Sequence, residues 1–122
     1  MTLNYLDFEY SESEDGTGTF DAMASTSPQQ VPLVHAEIAL VLGWAHAAFP
    51  GLRGPLDEGF EWDFNLQGMQ EFTAFETLDY DEDTQRLSVT AGPPGLPRHS
   101  VTLSLSGSAR FCVAFRQQFE LG

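Results

Sequence analysis

A chain of 122 residues with 18 acidic and 5 basic side chains has a formal charge of −13 and a pI near 4.2. The length fits one domain spanning 1–122, and a composition that is 42 % hydrophobic, with 10 Phe, takes the chain out of the disordered class. The charge argues against nucleic-acid backbones and anionic membranes as partners. The absence of lysine removes phosphate-loop, Schiff-base and general-base chemistry that needs one.

The first residues, Met1 to Glu9, have no basic stretch, apolar core or small-residue cleavage site, so no signal peptide is expected. Cys112 is the single cysteine and cannot form an internal disulfide, which suits a reducing, cytoplasmic setting. Arginine in place of every lysine, with abundant Ala and Gly, points to a GC-rich bacterial genome.

Residues 3–10 alternate, with Leu6, Phe8 and Tyr10 on one side and Tyr5, Asp7 and Glu9 on the other, predicting a half-buried strand. A polar turn over 11–16 leads to a second strand near 17–25 that turns Phe20, Ala22 and Ala24 inward. Ser25-Thr26-Ser27-Pro28 supplies hydroxyl caps and a first-turn proline, so a helix starts between 28 and 32 and stops at Phe49-Pro50-Gly51. The apolar run within it, Val31 to Phe49, contains Pro32, His35, Glu37, Gly43 and His46, and reads as a buried helix rather than a membrane span.

Phe60-Glu61-Trp62-Asp63-Phe64-Asn65-Leu66 alternates without a break and predicts a strand with one buried face. Less regular strands follow near 74–80 and 86–91, joined by the acidic turn Asp81-Glu82-Asp83-Thr84. After the proline-rich loop 92–97, His99 to Leu105 alternates again. Ser108 then caps a last helix with the stripe Phe111, Phe115, Phe119. The expected architecture is α+β: a two-layer sandwich with a mostly antiparallel sheet of five to six strands, two helices on one face, and the order ββαβββα.

Two surfaces invite a function. At about 100° per residue, the long helix carries a sheet-facing stripe of Val34, Ile38, Val41, Leu42, Ala45 and Phe49, and a second stripe of Leu33, Leu40 and Trp44 nearly opposite. That second stripe predicts either cover by the rest of the chain or a homodimer seam. Strand parity sends Asp7, Glu9, Asp21, Glu61 and Asp63 to the outward sheet face, a landing site for a basic protein.

Catalytic and metal signatures are weak. His35 and His46 share a helix side but lie about 16 Å apart along the axis, too far to share an ion. Asp79, Asp81 and Asp83 match three calcium-loop positions, but Thr84 replaces the required glycine and Thr90 the glutamate. Glu61 and Asp63 have a spacing a glycosidase could use, without the cleft. Neither a metal site nor a cofactor is expected. Cys112 reads as a small buried hydrophobe, although a helix start with Arg110 and Arg116 nearby could activate a thiol.

The leading expectation is therefore a small protein-binding module, an inhibitor or immunity-type partner of a basic protein, without enzymatic activity. A dimeric chaperone-like protein using Leu33, Leu40 and Trp44 is the first alternative. A small-molecule or enzymatic pocket between helix and sheet, lined by His35, His46, Trp62 and His99, is the second.

Overall fold

Residues 1–121 are described by a computed structural model. Six strands and two helices follow in the order β1 (Glu9–Glu12), β2 (Gly18–Thr26), α1 (Val31–Ala48), β3 (Trp62–Glu71), β4 (Ala74–Asp81), β5 (Arg86–Pro94), β6 (Arg98–Gly107) and α2 (Ala109–Gln118). The class is α+β as the patterns predict, with the order ββαββββα, one strand more than ββαβββα.

The strands do not form one sheet. β1, β2, β6 and β3 make an antiparallel four-stranded sheet in that order, while β4 and β5 pair only with each other. The break has a local cause. Pairing runs regularly from Trp62 opposite Gly107 to Glu71 opposite Arg98, then resumes beyond an irregularity between Ala74 and Glu76. Pro93, Pro94 and Pro97 remove three backbone donors from this stretch. The Gly95 N–H, donating to the Thr73 carbonyl at 2.7 Å, bridges the gap. β4 and β5 thus continue β3 and β6 as a two-stranded arm.

The core lies between the four-stranded sheet and both helices. Alternation in β2 buries Phe20, Ala22 and Ala24, and in β6 Leu103 and Leu105. On these sit Val34, Ile38, Val41, Ala45 and Phe49 of the α1 face and its end. The predicted Phe111, Phe115, Phe119 stripe of α2 is fully buried, and Ser108 caps the helix by accepting the Phe111 N–H at 3.2 Å. Completely burying one such aromatic side chain is worth about 1.5–3 kcal/mol.

Two local expectations shift. Residues 3–8 form no strand, because the Glu37 carboxylate takes the N–H groups of Asn4, Tyr5 and Leu6 that a ladder would use. The stretch Pro28–Ala48 is long and apolar enough to cross a bilayer, by length and composition. It is not wholly buried: Val34, Ile38, Val41 and Ala45 face the core, whereas Leu33, Ala36, Ala39 and Leu40 are exposed.

Candidate interaction surfaces

The five carboxylates assigned to the outward face separate into two groups. Glu9 and Asp21 are directly opposed across β1 and β2, and with Asp7, Met23 and Thr102 they line a concavity of about 360 Å³. Asp21 accepts the Ser104 hydroxyl, and among the described residues no cation pairs with any of the three. Like charges directly opposed across a strand pair repel. Glu61 and Asp63 stand at the other edge of the sheet and are already occupied. Asp63 accepts Arg53 Nε at 2.8 Å. Glu61 accepts the Ser108 hydroxyl at the start of α2 and lies 3.7 Å from Arg110. The structure therefore brings together Asp7, Glu9 and Asp21 but not Glu61 and Asp63, because β3 and β1 are opposite edges.

The stripe Leu33, Leu40, Trp44 also divides. The Trp44 ring is half-buried against Phe49, Phe111, Phe115 and Phe119, with centroids 5.7–6.2 Å away. It is covered by α2 and belongs with the core. Leu33 and Leu40 stay 52 % and 40 % exposed.

Of His35, His46, Trp62 and His99, His35 lines a cavity between helix and sheet. This mainly apolar groove of about 320 Å³ runs between α1 and the β3–β6 pair, lined by His35, Ile38 and Ala39 of the helix and by Leu66, Gln67, Gly68 and Val101 of the strands. A side chain at Gly68 would meet nothing within 4 Å, so the groove floor is open there. His46 lies three helical turns beyond His35, edge-on to Trp62 at 4.9 Å. Trp62 is completely buried, stacked on Phe111, and its indole N–H has no hydrogen-bond acceptor among the described residues. His99 is half-buried on β6, opposite Thr26 and Gln70. The four residues do not make one pocket.

The most exposed apolar surface was absent from these expectations. Every residue of β4, and all of β5 except Gly92, is exposed. Leu78 opposes Val89, and Tyr80 opposes Leu87. These four form one face of the arm and are 57–63 % exposed. Thr77 with Thr90 and Asp79 with Ser88 form the polar face. At the arm's root Phe72, Phe75 and Leu96 are 60–85 % exposed. The arm has the alternation of a half-buried sheet with nothing laid over its apolar side. Sequence places less regular strands near 74–80 and 86–91, which says nothing of a face left bare.

Among the described residues, no three His, Cys, Asp or Glu side chains converge as a metal site would require. Cys112 is buried, its thiol 3.6 Å from the Gly107 carbonyl, and burial raises its pKa despite the nearby Tyr10 hydroxyl and Arg116. Burial thus works against the activated thiol considered from sequence, outweighing the hydrogen bonds from Tyr10 and Gly18 and the charge of Arg116. Compared with known proteins, the chain matches no family model, no curated protein and no solved structure.

Proposed function

We propose that this chain is a protein-binding module whose contact surface is the apolar face of the β4–β5 arm. One observation carries the reading: Leu78, Tyr80, Leu87 and Val89 line one side of a projecting hairpin and none is covered. Water-soluble chains rarely leave large contiguous apolar patches bare, and those they do leave commonly mark contact sites. A two-stranded ribbon also offers unpaired backbone groups along both edges, to which a partner strand can add.

The acidic concavity supports a second element of this reading, a preference for partners with a basic rim. Glu9 and Asp21 repel each other across the ladder, and a cation placed between them would relieve that repulsion. The arm supplies contact area; the carboxylates steer and select.

The test compares capture by tagged wild-type protein with capture by a Tyr80→Ser, Leu87→Ser variant, from the lysate of the native organism. Far-UV circular dichroism first verifies that the variant is folded. A protein retained by the wild type and lost by the variant is expected. An identical set retained by both would overturn the arm as the contact surface. Release by salt would identify the share carried by the carboxylates.

A further inference from the structure

Resting on the reading of the arm as a contact surface, we infer that one occupant of that surface is a second copy of this chain. In this arrangement each copy lays the apolar face of its arm over the α1–β3 groove of the other.

Three observations converge on that occupant. The first is complementarity within one chain, which carries both an apolar ridge and an apolar groove. The ridge is Leu78, Tyr80, Leu87 and Val89; the groove is walled by Ile38, Ala39, Leu66 and Val101, with His35 and Gln67 as its polar side chains and no carboxylate or arginine. A two-fold axis satisfies both at once, since in such an interface whatever the first copy offers the second, the second offers the first. Like-charge repulsion from the −13 carried by each copy acts at long range, and the two apolar surfaces keep it out of the contact itself.

The second is position. The groove lies at the arm's root, where β3 and β6 lead into β4 and β5. The tip of the arm is about 40 Å beyond Gly68, at the rise of the twelve residues that lead to Tyr80. Two arms running antiparallel side by side bring the tip of each to the root of the other. The side chains nearest the tip are Tyr80 and Leu87, which are those the groove would receive.

The third is area. Leu78, Tyr80, Leu87 and Val89, 57–63 % exposed, leave on the order of 400 Å² of ridge uncovered, and a two-fold contact buries both a ridge and a groove on each copy. Stable interfaces bury about 800 Å² on each partner.

Sedimentation velocity on the full chain, from micromolar to 200 μM and at low and high salt, tests the inference. The expected result is a species of twice 13.5 kDa, favoured by salt because screening removes the long-range repulsion. Two variants probe the two halves of the contact. Tyr80→Ser with Leu87→Ser strips the ridge. Gly68→Arg puts a long charged side chain into the groove at a position where an added Cβ meets nothing within 4 Å. Both should sediment as monomers with unchanged circular dichroism.

A third variant, Gly68→Cys with Tyr80→Cys, fixes the geometry. These positions lie about 40 Å apart along one run of strand, so a disulfide between them joins two chains. An oxidised dimer that is reversed by reducing agent is expected. A wild type that stays monomeric at 200 μM overturns the self-association but leaves the arm free for another partner, so the binding-module reading stands. A dimer that survives both substitutions and gives no cross-link also overturns it. The binding-module reading fails separately, if arm variants and wild type capture the same proteins.

Discussion

The carboxylate of Glu37, in the middle of α1, accepts the backbone N–H of Leu6 at 3.1 Å, joining positions 31 residues apart in sequence. The same side chain takes the N–H of Asn4 at 2.8 Å and of Tyr5 at 3.0 Å. Three consecutive donors meet one anion, which turns residues 4–6 around the helix and lets Leu6 enter the core, 3 % exposed. Hydrogen bonds to a charged acceptor contribute about 1.5–3 kcal/mol each in favourable surroundings, and partly exposed ones less. Glu37→Ala should cost about 1–3 kcal/mol by chemical denaturation and raise amide exchange in residues 3–8 before elsewhere. Unchanged exchange there would show that Leu6 holds the segment without the carboxylate.

Glu9 facing Asp21 is a strained choice that substitution should relieve. Glu9→Lys converts a directly opposed repulsion into an attraction across the β1–β2 ladder. A gain of about 0.2–1 kcal/mol is expected at low ionic strength, shrinking as salt is added. The same change should weaken any partner that the acidic concavity steers. A thermal melt at two salt concentrations reads the first effect.

Two strand glycines should respond in opposite ways. A Cβ at Gly18 would lie 2.6 Å from the Tyr10 ring and 2.8 Å from Cys112 Sγ, both packed in place. Gly18→Ala should therefore cost about 1–3 kcal/mol, as overpacking does. At Gly68 nothing lies within 4 Å, and Gly68→Ala should be neutral or stabilise by about 0.5–1 kcal/mol through reduced unfolded-state freedom. Denaturant midpoints of the two variants, side by side, check the contrast.

The Cys112 thiol should be inert in the folded protein. Burial raises its pKa from the ordinary value of 9.0, so at pH 8 the folded chain holds almost no thiolate. A disulfide-exchange reagent should react at the rate of unfolding and speed up in denaturant. The shift also fixes a sign. A thiol harder to ionise when folded contributes stability that is intact below the unfolded value and is lost as pH rises through the folded one. Stability should fall as pH rises past 9.0. Cys112→Ser should lessen that alkaline loss, provided its melt at neutral pH shows it folded.

Sequence reading went furthest where a pattern and its cover come from the same short stretch. Ser108 and the phenylalanines at 111, 115 and 119 define α2 and its buried side together. The α1 boundaries follow from Pro28 and Pro50, and its sheet-facing stripe is in place. What escaped depends on partners remote in the chain. Residues 3–10 have strand alternation, yet Glu37 takes the donors of residues 4–6. The stripe with Trp44 leaves cover and seam both open in sequence, and it is α2, remote in the chain, that covers the Trp44 ring. The carboxylates share a parity, yet strand order puts two of them on the far edge. The segments 74–80 and 86–91 read as less regular strands, and no local feature says that their apolar side lies outside the sheet.

The arm leaves and re-enters the sheet between Glu71 and Arg98, which stand directly opposite each other. Everything from Phe72 to Pro97 is therefore an excursion with coincident ends, and its removal leaves a gap that a two-residue Asn-Gly turn can span. The four-stranded sheet and its core need nothing from that excursion. The part that folds and the part that reaches are separable along the chain, so the shortened protein should melt near the parent's midpoint. The arm can then be transplanted onto another hairpin, or varied freely in length and sequence, without renegotiating the core.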